Sequence, residues 1–311
     1  MSKNRKIGLI AGRSAETLVK NLKNLDLKVF LFTGNEDNKA IPIADKSFVQ
    51  FITINDKESI KSAVKWFVDQ EIEAIILGTG IWFAHEIAIE LNKRYNIPLS
   101  HNPEFISTFK SKSLTKELFI ADKIPTPKYI LIKNETIPSF INFPKVIKSD
   151  IDLFPVWLCH TKEEFDKWYE SLSKEVIASG ILIEDYYDGS DFTVPIFATR
   201  DNVKAPLVVQ WSKQKNYKLK GFSEYQESII PKKIQDDLRL LCENFISKLG
   251  YFGVARADIR YVDENNYYFL EINSVISIRE EGSSYQAFRE QGINLINEAL
   301  KTYLYNLSDN D

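Results

Sequence analysis

Apolar and polar positions change their period along the chain, and the changes mark out elements. Lys6–Ala11 (KIGLIA) is an apolar run that predicts a short buried strand. Gly12 permits the turn after it, and Ser14 can cap a helix to about Leu25, with Leu18, Leu22 and Leu25 spaced to pack on a sheet. Leu27–Phe32 (LKVFLF) reads as the next strand. Strand, helix, strand is a βαβ unit, and such units build parallel sheets. The pattern repeats in a helix at about Lys57–Gln70, strand Ala74–Leu77, Gly78-Thr79-Gly80 and a helix at about Trp82–Tyr95. Near His101-Asn102-Pro103 it changes. A helix Lys112–Asp122 meets the stop Ile124-Pro125-Thr126-Pro127. Strands Lys128–Ile132, Phe143–Lys148 and Ile181–Tyr186 follow, with a helix at about Lys162–Leu172 before the last of them. Strands Phe192–Ala198 and Ala205–Val209, a long helix at about Pro231–Leu249, a hairpin and a last helix at about Ser283–Tyr303 complete the reading. There is no internal repeat and no low-complexity segment.

The hairpin raises the first chemical question. Alternating runs flank Asp263-Glu264-Asn265-Asn266, a cluster of turn residues. With those residues as the loop, Val262 pairs with Tyr267. Asp258 then falls opposite Glu271, and Arg256 opposite Asn273. All four share one face, because side chains alternate along a strand. The other face carries Ala257, Ile259, Leu270 and Ile272, a core surface. Like charges directly opposed, about 5 Å apart, destabilise a sheet. Two remedies are open: a divalent cation between the acids, or a basic side chain, since Arg256 and Arg260 share their face. The available ligands are all oxygens, a set that suits Mg²⁺ or Mn²⁺ rather than zinc.

Composition narrows the function classes. The 311 residues carry 40 Lys+Arg and 43 Asp+Glu, and the net charge of −3 with no run of about five like charges argues against a nucleic-acid partner. Cys159 and Cys242 make neither a metal-type spacing nor a disulfide framework, which suits a reducing cytoplasm. The apolar run near the start is too short for a signal sequence, and no stretch approaches a membrane span, so a cytoplasmic protein without a membrane partner is expected. The first βαβ region lacks G-x-G-x-x-G, so no dinucleotide is expected there. His85, His101 and His160 are scattered and receive no role. The segments around Trp66, Trp157 and Trp211 are expected to pack.

In chain order come Lys112, Lys148 at a strand end, Glu184 and Asp191 flanking Asp188-Gly189-Ser190, then Asp258, Glu271 and Asn273. This order, with D…E-x-N on a hairpin and an arginine two residues before the Asp, resembles the ATP-grasp superfamily over about residues 102–273. The resemblance implies an α/β and α+β architecture. Its parts would be a Rossmann-like N-terminal domain (1–100), a central domain with a small α+β lid (101–183), and a C-terminal domain bearing the metal-binding hairpin (184–311). Together they would enclose ATP. It also implies roles. Lys112 and Lys148 would hold phosphates as point charges; each also reads as an ordinary solvated lysine. Backbone groups of Asp185 and Tyr187 would meet the adenine edge, and Glu184 its amino group. Asp191 would take the ribose hydroxyls, or stand as a strand-edge acid. Asp258, Glu271 and Asn273 would carry Mg²⁺ or Mn²⁺ against the phosphates, and Arg256 would stabilise charge at an acyl centre.

Three stretches resemble the D-alanine–D-alanine ligase branch. In Ala11–Glu16, Glu16 would receive a substrate ammonium, or be a favourable acid in a helix's first turn. In Asn216–Lys220, Lys220, or else Lys218, would bind phosphate from a mobile loop. In Ser283-Ser284-Tyr285, Ser283 would bind a substrate carboxylate or cap the last helix. Other stretches depart from that branch. Lys148 is followed by Ser149-Asp150-Ile151-Asp152-Leu153-Phe154-Pro155, with two acids and no glycine, and acids beside a triphosphate repel it. No Pro-Gly follows Asn273. Arg279 is offered as a carboxylate clamp or as a solvent-facing arginine. Gly78-Thr79-Gly80 and His101-Asn102-Pro103 resemble the carbamoyl-phosphate-synthase and biotin-carboxylase side. The resemblance implies an ATP-dependent ligase joining a small-molecule carboxylate to an amine through an acyl phosphate. Loops 149–155 and 212–221 would be its lids, and such ligases often form homodimers through the first domain. Two rivals are a nucleotide-binding protein without turnover and a kinase acting on a hydroxyl.

Overall fold

The computed structural model describes residues 4–53, 56–133, 142–211, 225–226, 230–280 and 283–308. Strands β1 (Lys6–Ile10), β2 (Lys28–Thr33), β3 (Lys46–Val49) and β4 (Ala74–Leu77) form a parallel sheet in the order β3-β2-β1-β4. The central strands are buried almost throughout, as a parallel sheet covered on both faces requires. Helices α1 (Ala15–Lys23), α2 (Lys57–Asp69) and α3 (Trp82–Tyr95) supply cover. The Asp56 side chain caps α2 through Ser59 N. Gly8 is obligatory in β1, because a Cβ there would lie 2.3 Å from Ile75 Cδ1. Edge strand β3 is short and half polar, and its pattern gave no alternation to read.

His101-Asn102-Pro103 proves to be a helix start. Asn102 accepts from Glu104 N and Phe105 N, and Pro103 opens α4 (Pro103–Lys110). Next comes α5 (Lys112–Ala121), capped by Ser111. A second sheet, order β5-β8-β6-β7, is antiparallel: β5 (Tyr129–Ile132), β6 (Lys145–Ser149), β7 (Trp157–Cys159) and β8 (Ile181–Asp185). Helix α6 (Lys162–Glu170) packs its Phe165 into this sheet's core, and the short α7 (Lys174–Ala178) precedes β8.

The third sheet joins β9 (Ser190–Ala198), β10 (Val203–Lys204), β11 (Val209–Trp211), β12 (Tyr225–Gln226), β13 (Gly253–Asp263) and β14 (Asn266–Asn273). Its path is β12-β11-β9-β13-β14, with β10 beside β9. The strand expected at Ala205–Val209 is instead a connection between β10 and β11. One face of this sheet, with Val194, Ile196, Ala257 and Ile259, packs on Phe119 of α5 and Phe245 of α8 (Lys232–Leu249). On the opposite face Phe197 and Val254 join the core of the first sheet, and most of the remaining positions carry polar side chains. The expected last helix is two, α9 (Ser283–Glu290) and α10 (Leu295–Ser308), broken at Gly292 with φ +71°. Both enter the same apolar core as β1, α1 and β2. Trp66 stacks on Phe48 and Trp157 packs on Trp168, as expected, whereas the Trp211 side chain lies outside the described set.

The hairpin keeps the expected register at its base: Arg256 faces Asn273, Ala257 faces Ile272 and Asp258 faces Glu271. Above that it departs. A bulge shifts the pairing to Ile259–Phe269, Arg260–Tyr268 and Tyr261–Tyr267, and a second irregularity restores Asp263–Asn266. The expected core residue Leu270 is therefore only half-buried, and Phe269 fills the core at 1% exposure. The physical reason is size and shape: the bulge lets the larger ring reach Phe119 and turns Tyr268 to the polar face.

Candidate active site

Cross-strand pairing arranges the polar face of the third sheet in rows over β9, β13 and β14. The rows read Pro195–Arg256–Asn273, Thr193–Asp258–Glu271 and Asp191–Arg260–Tyr268. Successive rows lie about 7 Å apart, two residues along a strand. In the middle row, Thr193 Oγ1 donates to Asp258 Oδ1 at 2.5 Å. Asn273 Nδ2 donates to Asp258 Oδ2 at 2.9 Å and to Glu271 Oε1 at 3.1 Å. The opposed acids are thus spanned by an amide, not an arginine. Arg256 Nη2 reaches only Asp258, at 3.3 Å, and Arg260 turns away to Asp191.

Above these rows sits a cage of lysines. Glu184 is 1% exposed and is held by Lys148 at 2.9 Å and Lys116 at 3.2 Å, both also buried. Lys112 pairs with Asp152 and lies 3.6 Å from Glu271. Strand register explains the cage: Lys148 and Glu184 lie on neighbouring strands β6 and β8. Lys116 follows Lys112 by one helical turn, so both project from the same side of α5. Burial brings the Lys116 ammonium down to about 8, and neighbouring Lys148 adds to the shift against the pull of Glu184. Burial also opposes the charge on Lys112, but Glu271 and Asp152 outweigh it and raise its pKa. Burial likewise disfavours charge on Glu271, yet Lys112 and Lys148 bring that carboxyl down to about 2. Asp258 moves the other way: burial and Glu271 raise it against Arg256.

The two acids after Lys148 have separate tasks. Asp150, 2% exposed, accepts from Ser113 N at 2.8 Å and from the hydroxyls of Ser111 and Ser113, so it caps the start of α5. Asp152, in the left-handed region at φ +59°, holds Lys112. Neither acid lies bare, which resolves the repulsion that the sequence suggested.

The nucleotide-side residues of the sequence reading come together: Lys112, Lys148, Glu184, Asp258, Glu271, Asn273 and Arg256 in one cluster, with Asp185, Tyr187 and Asp191 at the β8–β9 connection. Asp185 is held by Lys145 at 2.5 Å. The acceptor-side residues are not drawn into this hydrogen-bonded cluster. Glu16 pairs with Lys20 one turn along α1, at 2.7 Å. Arg279 donates through Nε to Ser277 Oγ at 3.2 Å. Ser283 is the first residue of α9, and its side chain lies outside the described set, as do Lys218 and Lys220 entirely. Sequence reasoning gave no role to Lys116, Thr193, His85 and His101, and raised Arg260 only as a basic partner for the opposed acids. His85 Nε2 contacts Ser274 Oγ at 3.0 Å, and His101 Nε2 contacts Val254 O at 3.3 Å. Lys116 and Arg260 were within reach, at i+4 and i+2 from named residues; the histidines carried no local signal.

Among the buried polar atoms without a hydrogen bond, two lie in this cluster: Glu184 Oε1, an acceptor that has its ion pair with Lys116 at 3.2 Å, and Arg256 Nε, a donor. An adenine amino group and a phosphoryl oxygen are of the kinds that would complete them, so the residues fit ATP. Among the described residues no cluster of three or more His, Cys, Asp or Glu side chains could hold a metal. Two carboxylates and an amide with open positions nevertheless suit Mg²⁺ held against phosphates.

No family model matches the chain. A D-alanine–D-alanine ligase of Carboxydothermus hydrogenoformans is 27% identical over 201 residues, spanning 58% of this chain and 64% of that enzyme. One of Francisella philomiragia is 27% identical over 203 residues, spanning 60% and 66%. The chain thus matches less than two thirds of either relative's length. Among solved structures, the biotin carboxylase domain of Hydrogenobacter thermophilus 2-oxoglutarate carboxylase, a dimer with MgADP, ADP and bicarbonate, superposes with a TM-score of 0.77 at 18% identity, covering 98% of this chain and 70% of that one. The L-amino acid ligase from Bacillus licheniformis gives 0.75 at 18%, covering 98% and 75%. The D-alanine–D-alanine ligase from Bacillus anthracis, complexed with ATP, gives 0.68 at 17%, covering 99% and 100%. The three sheets, the hairpin and these superpositions agree: this chain has the ATP-grasp fold.

Proposed function

We propose that the protein is an ATP-dependent ligase that joins a small-molecule carboxylate to an amine, with release of ADP and phosphate. The observation that carries this reading is the pair Asp258–Glu271, opposed across two strands beneath Lys112 and Lys148. Two acids and two cations so placed suit a polyphosphate that arrives with its own metal. When bound, Mg²⁺ would polarise phosphoryl oxygens and neutralise developing charge. Asp258, Glu271 and the Asn273 carboxamide oxygen would hold it, which requires the amide to rotate from its present bridge. Lys112 and Lys148 would exchange part of their contact with Asp152 and Glu184 for phosphate. Glu184 Oε1 and the backbone of Asp185 and Tyr187 would meet adenine, and Asp191 the ribose. The substrate carboxylate would take the γ-phosphoryl group, and the amine would then displace phosphate to leave an amide. Arg256, with an unspent Nε donor, would stabilise charge on the acyl oxygen. Glu16, Arg279 and Ser283 are the candidates for the acceptor end, and Lys220 is a further candidate for phosphate.

The reading includes a division into residues 1–100, 101–183 and 184–311, a cytoplasmic location and assembly as a homodimer. Among the described residues no helix is long and apolar enough to cross a membrane. A screen of ADP release over paired amino acids and small carboxylates tests it. ADP and an amide product are expected for one class of pair. Nucleotide binding without ADP release from any pair would overturn the ligase reading. That outcome would favour binding without turnover, to which the hold of Asp152 on Lys112 lends support. Phosphorylated hydroxyl without amide would make the protein a kinase.

A further inference from the structure

Arg260 has no part in the scheme above, yet it is among the most enclosed charges in the molecule, at 7% exposure. Its guanidinium grips both oxygens of Asp191, Nε to Oδ1 at 2.8 Å and Nη2 to Oδ2 at 3.1 Å. Its Nη1 donates to the Tyr187 carbonyl at 3.1 Å. The connection between β8 and β9 is shaped around it: a Cβ on Gly189 would lie 2.3 Å from Tyr261 O and 3.0 Å from Arg260 Cδ. The hairpin bulge places Tyr268 beside Arg260, and Tyr268 stacks on Tyr187 with centroids 3.9 Å apart and planes at 16°. One guanidinium therefore ties an acid to a backbone carbonyl, with Tyr268 of the stacked ring pair as its cross-strand neighbour, one row from Asp258 and Glu271.

A carboxylate offers about four lone-pair directions. The fork takes one on each oxygen of Asp191 and leaves one on each, while 46% of that side chain stays exposed. Two acceptors fixed in one plane match the two hydroxyls of a ribose cis-diol, one per oxygen. We propose that Arg260 is a positioning residue for the nucleoside. By fixing the Asp191 carboxylate and the Tyr187 backbone together, it makes the site select a ribonucleotide with both hydroxyls free. The inference rests on the nucleotide reading above, and adds a residue and a specificity to it. A lysine at this position would keep the charge and lose the fork.

The test is equilibrium binding of Mg·ATP, Mg·2′-deoxy-ATP and Mg·3′-deoxy-ATP to the full chain, in wild type, Arg260→Met and Arg260→Lys. Wild type is expected to favour ATP over either deoxynucleotide by about tenfold, the worth of one hydrogen bond to a charged group. Both variants are expected to lower that ratio to about twofold or less and to weaken ATP binding. Melting temperature and far-UV dichroism establish that each variant is folded. If Arg260→Met unfolds, Arg260→Lys carries the test. A folded variant that keeps the wild-type ratio overturns the proposal, as does a wild type that does not discriminate. Failure of wild type to bind Mg·ATP at all is a separate result that removes the nucleotide reading itself. Absence of ADP release bears on the ligase reading alone, because the ratio needs no turnover.

Discussion

Glu184 and Glu16 are both acids paired with lysine, and they are held in opposite ways. Glu184 is sealed at 1% exposure between Lys116 and Lys148, with three elements fixing the group. Glu16 meets Lys20 across one turn of a helix, with about a third of its side chain in water. The contrast extends to the regions around them. The proposed phosphate end would rest on strand register and a helix face, where neighbours determine each side chain. Glu16, proposed for the acceptor, sits on an exposed helix turn. Under that reading, rigidity would be concentrated where charge is handled.

Removing one partner of the sealed end should have the largest effect. Lys148→Met leaves Glu184 with Lys116 alone, and breaking a buried pair costs about 3 kcal/mol or more. Urea unfolding should show that loss, and Mg·ATP affinity should fall with it. A change under about 1 kcal/mol would place Glu184 in a wetter setting than its burial implies.

Next in size is an acid sensitivity of the core beside the hairpin. Burial brings the His101 imidazole down to about 4 from its ordinary 6.5. Between those values an unfolded chain takes up a proton that the folded chain refuses. Stability should therefore fall as pH drops through this window, by up to about 1.4 kcal/mol per pH unit from this group. His101→Gln should remove that share of the slope between about pH 6 and pH 5 in urea titrations. An unchanged slope would mean that other groups, the buried His85 and the carboxylates, set it.

A smaller effect should come from the loop after Lys148. Under the proposed function Asp152 would compete with phosphate for Lys112, so Asp152→Asn should tighten Mg·ATP binding by a few-fold, roughly the worth of a half-exposed ion pair. Calorimetry would read this directly, and weaker binding would make Asp152 part of the nucleotide site. The smallest change belongs to Glu16→Gln. It should alter stability by about 0.5 kcal/mol or less, because exposed helix pairs are worth little. A raised KM for the amine, without loss of stability, would give Glu16 the ammonium-binding role.

Much of the proposed phosphate end was legible in the chain because it follows from strand periodicity. Asp258 and Glu271 oppose each other as expected, although the turn is the tighter Glu264-Asn265, with Asp263 paired to Asn266, and the two irregularities between cancel. The parallel first sheet was likewise visible in repeated strand–helix units. What stayed hidden depends on contacts distant in sequence. Nothing near Asp150 announces Ser111 and Ser113 as its partners, and nothing near His85 points to Ser274. The bulge at Leu270 was invisible because alternation is read as unbroken until packing breaks it. Only the demand of Phe119 for a ring opposite explains why Phe269 displaces Leu270 from the core. The single long C-terminal helix failed at Gly292, where a local turn signal lay inside an otherwise helical pattern.

The shared core of β1, α1 and α10 bears on how the protein is made. Helix α10 closes an apolar surface whose other wall is synthesised first. A nascent chain that has not yet reached Leu295 carries a parallel sheet with one oily flank bare. Until α10 clears the ribosome, that flank is a target for holdase chaperones and for self-association.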